Sequence, residues 1–322
     1  MTAVSQTAAR PATRRAVVRR RRSLAVRLRR AVADYAYIAP ALGVMLLVIG
    51  YPIVNTVYLS FFRTPPSLAL ANKQFAGLDN YVSILGSDAF LSASWNTVVW
   101  TSVSTIVSFA LGYGAALALN REFVGRGLLR GVLLVPYVIS AVAAAYVWRW
   151  LYHSDFGVIG AIAVALGITD QPIVFLDNVN TVLPSLIVVV IWKEFPFAMI
   201  MLLAGLQTVP DQLLRAARVD GASTWHAFWH ITFPHLKSVS TITLLLLAVT
   251  SINQFTIPWI MTGGGPAGAS HIWITSIYEM AFGRLRFGPA AAYSVILFLI
   301  MMVLGIFYVR AMTAGDRRRV AE

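Results

Sequence analysis

The sequence predicts an all-α polytopic membrane protein with six transmembrane helices and both termini cytoplasmic, on three observations. The chain has 322 residues, of which 58% are hydrophobic and only 12% charged, with a mean hydropathy of +0.72. A soluble domain carries roughly 25% charged and 45–50% apolar residues. The apolar residues fall in runs long enough to cross a bilayer, which takes about 20 residues of helix. The arginines gather in alternate connections, the bias expected of a chain whose two ends lie on the same, inner side.

The elements follow in order. Residues 1–33 are a basic cytoplasmic arm, with ten arginines between Arg10 and Arg30. Such a run can bind nucleic acid, but it stands directly before an apolar run, and membrane orientation accounts for it. No nucleic-acid partner is expected. The first apolar run is too long for a signal peptide and has no small-residue cleavage site after it. A membrane domain then occupies 34–312, with spans over 37–59, 95–119, 130–152, 181–206, 238–261 and 289–309. The connection after span two carries Arg121 and Arg126; that after span three has only acids, Asp155, Asp170 and Asp177; that after span four, 207–237, is basic again. Arg284 and Arg286 fall on the expected outside and dissent. The tail 313–322 holds Arg317, Arg318 and Arg319. There is no cysteine, so disulfides and thiolate metal sites are excluded. No internal repeat of the kind that marks many secondary transporters is visible.

The most informative segment is 214–234. Ala216 and Ala217 are followed by Gly221 after three residues, by Ile231 after nine more, and by Pro234. Pro210-Asp211 opens a helix, with Asp211 able to cap free N–H groups. Gly221 suits a C′ position, where φ is positive. Ser223 starts a second short helix with Trp225, Phe228 and Trp229 on one face, and Pro234 is expected to limit it. One reading is an amphipathic helix lying on lipid headgroups. The other is a knob: small alanines let a partner surface approach, and an aromatic ridge fills a groove in it.

These residues resemble the signature loop of the carbohydrate-uptake ABC transporter permeases of the maltose type, the binding-protein-dependent inner-membrane components. The resemblance runs from Tyr37 to about Arg310. It includes Phe75-Ala76-Gly77-Leu78-Asp79-Asn80-Tyr81, Asn96-Thr97, Pro136, Trp192 with Pro196-Phe197, Ala204-Gly205-Leu206-Gln207, and Thr262-Gly263-Gly264-Gly265-Pro266. It implies a type I ABC importer permease fold in a prokaryotic inner membrane. It also implies a second permease, two ATP-binding subunits, an extracytoplasmic solute-binding protein, and ATP with magnesium on the partner ATPase. The coupling surface would be Arg215, Ala216, Ala217, Asp220, Gly221, Trp225, Phe228, Ile231 and Pro234. Arg215 departs from the family's usual Glu, reversing the charge there.

No catalytic residue and no cofactor are expected on this chain. The glycine-rich 262–266 lacks the Gly-Lys-Ser/Thr of a P-loop; the only lysines are Lys73, Lys193 and Lys237. His226 and His230 stand at i, i+4 without an acidic ligand nearby, so no metal site is expected. Ionisable groups in a bilayer cost about 2.5–3.5 kcal/mol on insertion scales and usually serve a cavity or a pair. Lys193 and Glu194 lie in span four and either form structural contacts or face a solute. Counted from the loop, the resemblance places the solute contacts at Lys193, Glu194, Phe197, Ser251, Asn253 and Gln254, a mixture that suits a sugar, another polyhydroxy solute or a glycerophosphate ester. A gradient-coupled secondary transporter with Glu194 as its carboxylate is the alternative.

Overall fold

In a computed structural model of the chain, residues 37–65 and 72–320 are described; the arm expected over 1–33 lies outside them. The chain divides into two compact units, Met1–Asn55 and Thr56–Glu322. By length and composition five helices among the described residues can cross a membrane, and six when one bent pair counts as a single span.

Span one, α1, is Tyr37–Ser60, with a π-helical turn at Leu46–Gly50. A short antiparallel ladder follows, β1 (Phe62–Arg63) on β2 (Gln74–Phe75). It is held by Asn80, whose amide donates to the carbonyls of Ser60 at 2.8 Å and Phe62 at 2.9 Å. Asn80 sits in α2, Asp79–Leu85. Span two, α3, is Asp88–Leu119. It starts seven residues earlier than its apolar run because Ser87 caps it, accepting the Phe90 N–H at 3.2 Å.

Span three departs from expectation. It is two helices, α4 (Arg126–Val138) and α5 (Ala141–Leu151), bent by 95°. Pro136 does not make the break; it lies inside α4. The break is at Ile139 and Ser140, both extended, and the Ser140 hydroxyl caps α5 at Ala143 N–H. A short helix, α6 (Val158–Ala165), lies in the connection to span four, α7 (Val182–Leu206).

The loop after span four forms α8 (Asp211–Val219) and α9 (Thr224–Ala227). From α9 the chain passes through a π turn, Phe228–Thr232, straight into α10, Phe233–Ile252. Pro234 therefore does not end the helix. It has no N–H to give, and it stands just past the wider turn, in the first turn of α10. After Ile252 the backbone leaves the helix for three residues and resumes as α11, Thr256–Thr262. The chain continues through α12 (Trp273–Tyr278) and a π turn, Glu279–Gly283. The last helix, α13, is Phe287–Val320. Its sequence stays apolar as far as Val309, before Arg310.

Two apolar cores hold the second unit together. The near core, toward the 207–237 loop, joins Tyr113, Ala116 and Leu119 of span two to Ala198, Met199, Leu202 and Leu206 of span four and Leu236 and Leu247 of α10. The far core joins Trp100, Val182, Leu186, Val190, Ile257, Met261 and Ile272. Spans two and four run parallel through both. They pack closely at Gly112, where an added Cβ would stand 2.5 Å from the Ala198 Cβ and 2.8 Å from the Met199 nitrogen. We predict that Gly112→Leu lowers the yield of folded protein and its melting temperature, since overpacking costs about 1–3 kcal/mol or more. Gly114→Ala, whose Cβ would meet nothing within 4 Å, should leave both unchanged; equal effects would contradict the packing.

Candidate functional site

The signature loop has the geometry its residues dictate. Helix α8 ends in a Schellman motif: Ala222 N–H donates to Ala217 O at 2.9 Å and Gly221 N–H to Arg218 O at 3.2 Å. The motif needs a left-handed residue at C′, and Gly221 supplies φ +76°. Ser223 then caps α9, its hydroxyl accepting the His226 N–H at 3.2 Å. Asp211 does not cap; it lies in the first turn of α8, where its charge suits the helix dipole. Arg215 stands 3.9 Å from Asp211, both largely exposed, so the pair contributes little.

Ala216, Asp220, Gly221, Trp225 and Pro234 are exposed, while Ala217 and Ile231 are half-buried. Phe228 keeps its place beside Trp225 and Trp229, with ring centroids 6.2 and 5.2 Å away, and also packs on the near core, edge-on to Tyr113 at 5.7 Å. Trp225 and Trp229 remain outside. Between α8, α9 and the end of span two lies a groove of about 830 Å³, lined by Leu117, Arg121, Leu214, Arg218, Trp225 and Phe228.

The second feature is a polar belt between the two cores. Span two contributes Thr101, Ser104, Thr105 and Ser108; span four Lys193 and Glu194; the last turn of α10 Ser251, and the break after it Asn253 and Gln254. The elbow of span three, which Lys193 touches, adjoins the belt. Trp100 donates its indole N–H to Ser251 O at 2.9 Å, and the hydroxyls of Ser104 and Ser251 are 2.6 Å apart. Asn253 is exposed and donates to Val249 O at 2.8 Å; Gln254 is half-buried.

Lys193 and Glu194, being adjacent, point different ways. The Lys193 ammonium donates to the carbonyls of Ile139 at 2.6 Å and of Pro136 and Tyr137 at 3.4 Å. Phe197, one turn on, stacks on Tyr137 with centroids 5.9 Å apart. Glu194 is buried at 4% exposure, one turn before Ala198, on the face turned to span two. Ser108 stands one turn before Gly112 on the opposing helix. Neither carboxylate oxygen of Glu194 nor the hydroxyls of Thr101, Thr105 and Ser108 have a hydrogen-bond partner among the described residues. Sequence reasoning overlooked these hydroxyls. Their signal was there: Thr101, Ser104, Thr105 and Ser108 put four hydroxyls on one face of an apolar run.

At the far end, the start of span two grips the glycine-rich loop. Asn96 donates to the carbonyls of Ala269 and His271 at 3.0 Å each, and Thr97 accepts the Trp273 N–H at 2.9 Å. A pocket of about 470 Å³ lies there, lined in part by His271, Glu279, Arg284 and Asp88. His271 and Arg284 both pair with Glu279. Burial holds His271 below its ordinary range in spite of that negative charge. For Glu279, burial pushes upward, but the Arg284 hydrogen bond and the His271 charge outweigh it and hold the carboxyl low. The sequence singled out none of these three as a group.

Comparisons agree with the resemblance. The family described as binding-protein-dependent transport system inner membrane component matches residues 108–320. The trehalose/maltose transport system permease protein of Thermococcus litoralis is 33% identical over 288 residues, 88% of this chain and 95% of that one. The sulfoquinovosyl glycerol transport system permease protein of Agrobacterium fabrum is 32% identical over 279 residues, 87% and 90% of the two chains. A chain of a solved bacterial ABC transporter that imports the acidic polysaccharide alginate shares the fold. Its TM-score is 0.77 at 21% identity, covering 93% of this chain and 99% of that one.

Proposed function

The chain belongs to the family of binding-protein-dependent transport system inner membrane components, and we propose from that premise that it is the permease of an ATP-driven importer of a sugar or related polyhydroxy solute. ATP hydrolysis belongs to a partner in this family, and this chain supplies a path and a mechanical link.

One observation carries the reading. The loop that would meet the ATPase and the belt that would meet the solute are the two ends of one helix. From Ser223, the N-cap, the backbone stays helical through the π turn and past Pro234 to Ile252, about 43 Å at 1.5 Å per residue. It stops at the break that carries Asn253 and Gln254. A push on α8 and α9 from the cytoplasmic side is thereby delivered to the belt. Arg215, Ala216, Ala217, Asp220, Gly221, Trp225, Phe228, Ile231 and Pro234 form or shape the surface that receives it. The groove beside α8 and α9 is open to a ridge on the ATPase, and exposed Trp225 lies on its rim.

At the belt, Glu194, Phe197, Ser251, Asn253 and Gln254 offer amides, a hydroxyl, a carboxylate and an aromatic ring, the mixture that recognises a polyhydroxy ring. Lys193 stands with them, its ammonium engaged on the elbow. Relatives named for trehalose/maltose and for sulfoquinovosyl glycerol support a glycoside as cargo. A glycerophosphate ester falls in the same size class. A second, related permease would close the path, two ATP-binding subunits would sit below, and an extracytoplasmic solute-binding protein would dock at the far end.

Uptake into vesicles holding the complete complex should require ATP inside and persist when ion gradients are collapsed. Uptake that survives ATP depletion and follows a gradient would favour the secondary-transporter alternative. Gly221→Val should insert normally yet lose most uptake: a left-handed β-branched residue costs at least about 1–2 kcal/mol, and the α8–α9 joint would refold. Gly221→Asn, which tolerates that φ, should retain most of it. Full uptake by Gly221→Val would contradict the coupling role.

A further inference from the structure

We propose that Lys193 is a positioning residue that clamps span four to the elbow of span three, and is not a ligand of the solute; the readout rests on the importer reading above. An ammonium has three donors and no acceptor. Here they meet three carbonyls, Ile139, Pro136 and Tyr137. In an unbroken helix those carbonyls would accept N–H groups from the following turn. At the elbow that turn has swung away by 95°, and backbone oxygens left bare inside a bilayer are costly. A cation at a helix C-terminus is also the sign the dipole favours. Lys193 thus makes the bend tenable, and nothing remains on its nitrogen for a sugar hydroxyl.

The contact is doubled. Phe197 shares the helix face of Lys193 at i, i+4 and stacks on Tyr137, the planes 26° apart. Span four therefore grips the elbow by a charge-assisted hydrogen-bond cluster and by an aromatic pair. Span four also runs from Lys193 to Leu206, from which the chain enters α8 of the signature loop. Beyond the elbow, α5 is tied to α11, with Arg149 donating to Ile260 O at 3.3 Å. A displacement of the loop would then move both sides of the belt: directly along α10, and through Lys193 into the elbow and α5.

The test uses the complete importer in vesicles; this chain has no native cysteine, so a thiol introduced into it is the single label site on its own band. Lys193→Met keeps the length and apolar stem and removes the donors. It should cut the maximal uptake rate about tenfold or more, through loss of charge-assisted bonds. The half-saturating solute concentration should stay within about twofold, the signature of lost positioning rather than lost binding. A cysteine at half-buried Ile139 should label faster in the Lys193→Met background. Lys193→Arg should restore most of the rate. If Lys193→Met does not assemble, Lys193→Gln carries the same readouts. A raised half-saturating concentration at unchanged maximal rate would make Lys193 a solute ligand and overturn the proposal, as would unchanged uptake and labelling. Failure of the unsubstituted complex to use ATP would instead count against the function proposed above, independently of this clamp.

Discussion

Inside a bilayer every backbone N–H and C=O must find a partner within the protein, and this chain breaks two of its spans. The rest of the structure follows from how those breaks are satisfied. At the elbow of span three, Ser140 accepts the Ala143 N–H in the first turn of α5, and Lys193 donates to the carbonyls of Pro136 and Tyr137 in α4 and of Ile139 just past it. Near the break after α10, Trp100 and Ser104 of span two secure Ser251. Each break is repaired by a side chain from another span or from its own far side. Polar side chains thus stand beside both irregular stretches of backbone.

That placement separates two jobs. The near and far cores are apolar and close-packed, with no room for a side chain at Gly112 against Ala198, so each resists deformation. The belt between them contains exposed Asn253, a buried carboxylate at Glu194 without a hydrogen-bond partner among the described residues, and the backbone break after α10, with the elbow of span three beside it. Bending concentrates at such a layer. A helix that is continuous from the signature loop to the edge of that layer makes the loop a lever on it. In the proposed mechanism the lever is pushed by an ATPase, and the belt changes which side of the membrane it faces.

Much of this was legible in the sequence, for reasons that can be given residue by residue. The six apolar runs announce the spans because length and composition suffice. Gly221 and Ser223 were readable because positive φ and N-capping are local demands, met within a few residues. What the sequence hid is what depends on partners far along the chain. The elbow falls at Ile139 and Ser140, which carry no breaker; its carbonyls are satisfied by a lysine 54 to 57 residues away. Pro234 suggested a stop, but a π turn before it lets the helix pass. Periodicity put Phe228 beside Trp225 and Trp229, where it lies, but could not show that its ring also meets Tyr113 of span two. The His271, Glu279 and Arg284 cluster is assembled across α12 and a π turn, whose wider pitch brings Arg284 back to Glu279.

The central claim is that the helix from the signature loop to the belt moves as one rod. Spin labels at exposed His226 and Thr250 would span it, about 36 Å apart at 1.5 Å per residue; a second pair at Thr250 and Val138 would cross the belt. Between nucleotide-free and ATP-bound states of the assembled transporter, the first distance should hold to within about one turn's fraction, ~2 Å, while the second shifts by several ångströms, about a helix-turn's scale. A rod that shortens or bends at Phe228–Thr232 while the distance across the belt stays fixed would contradict the account.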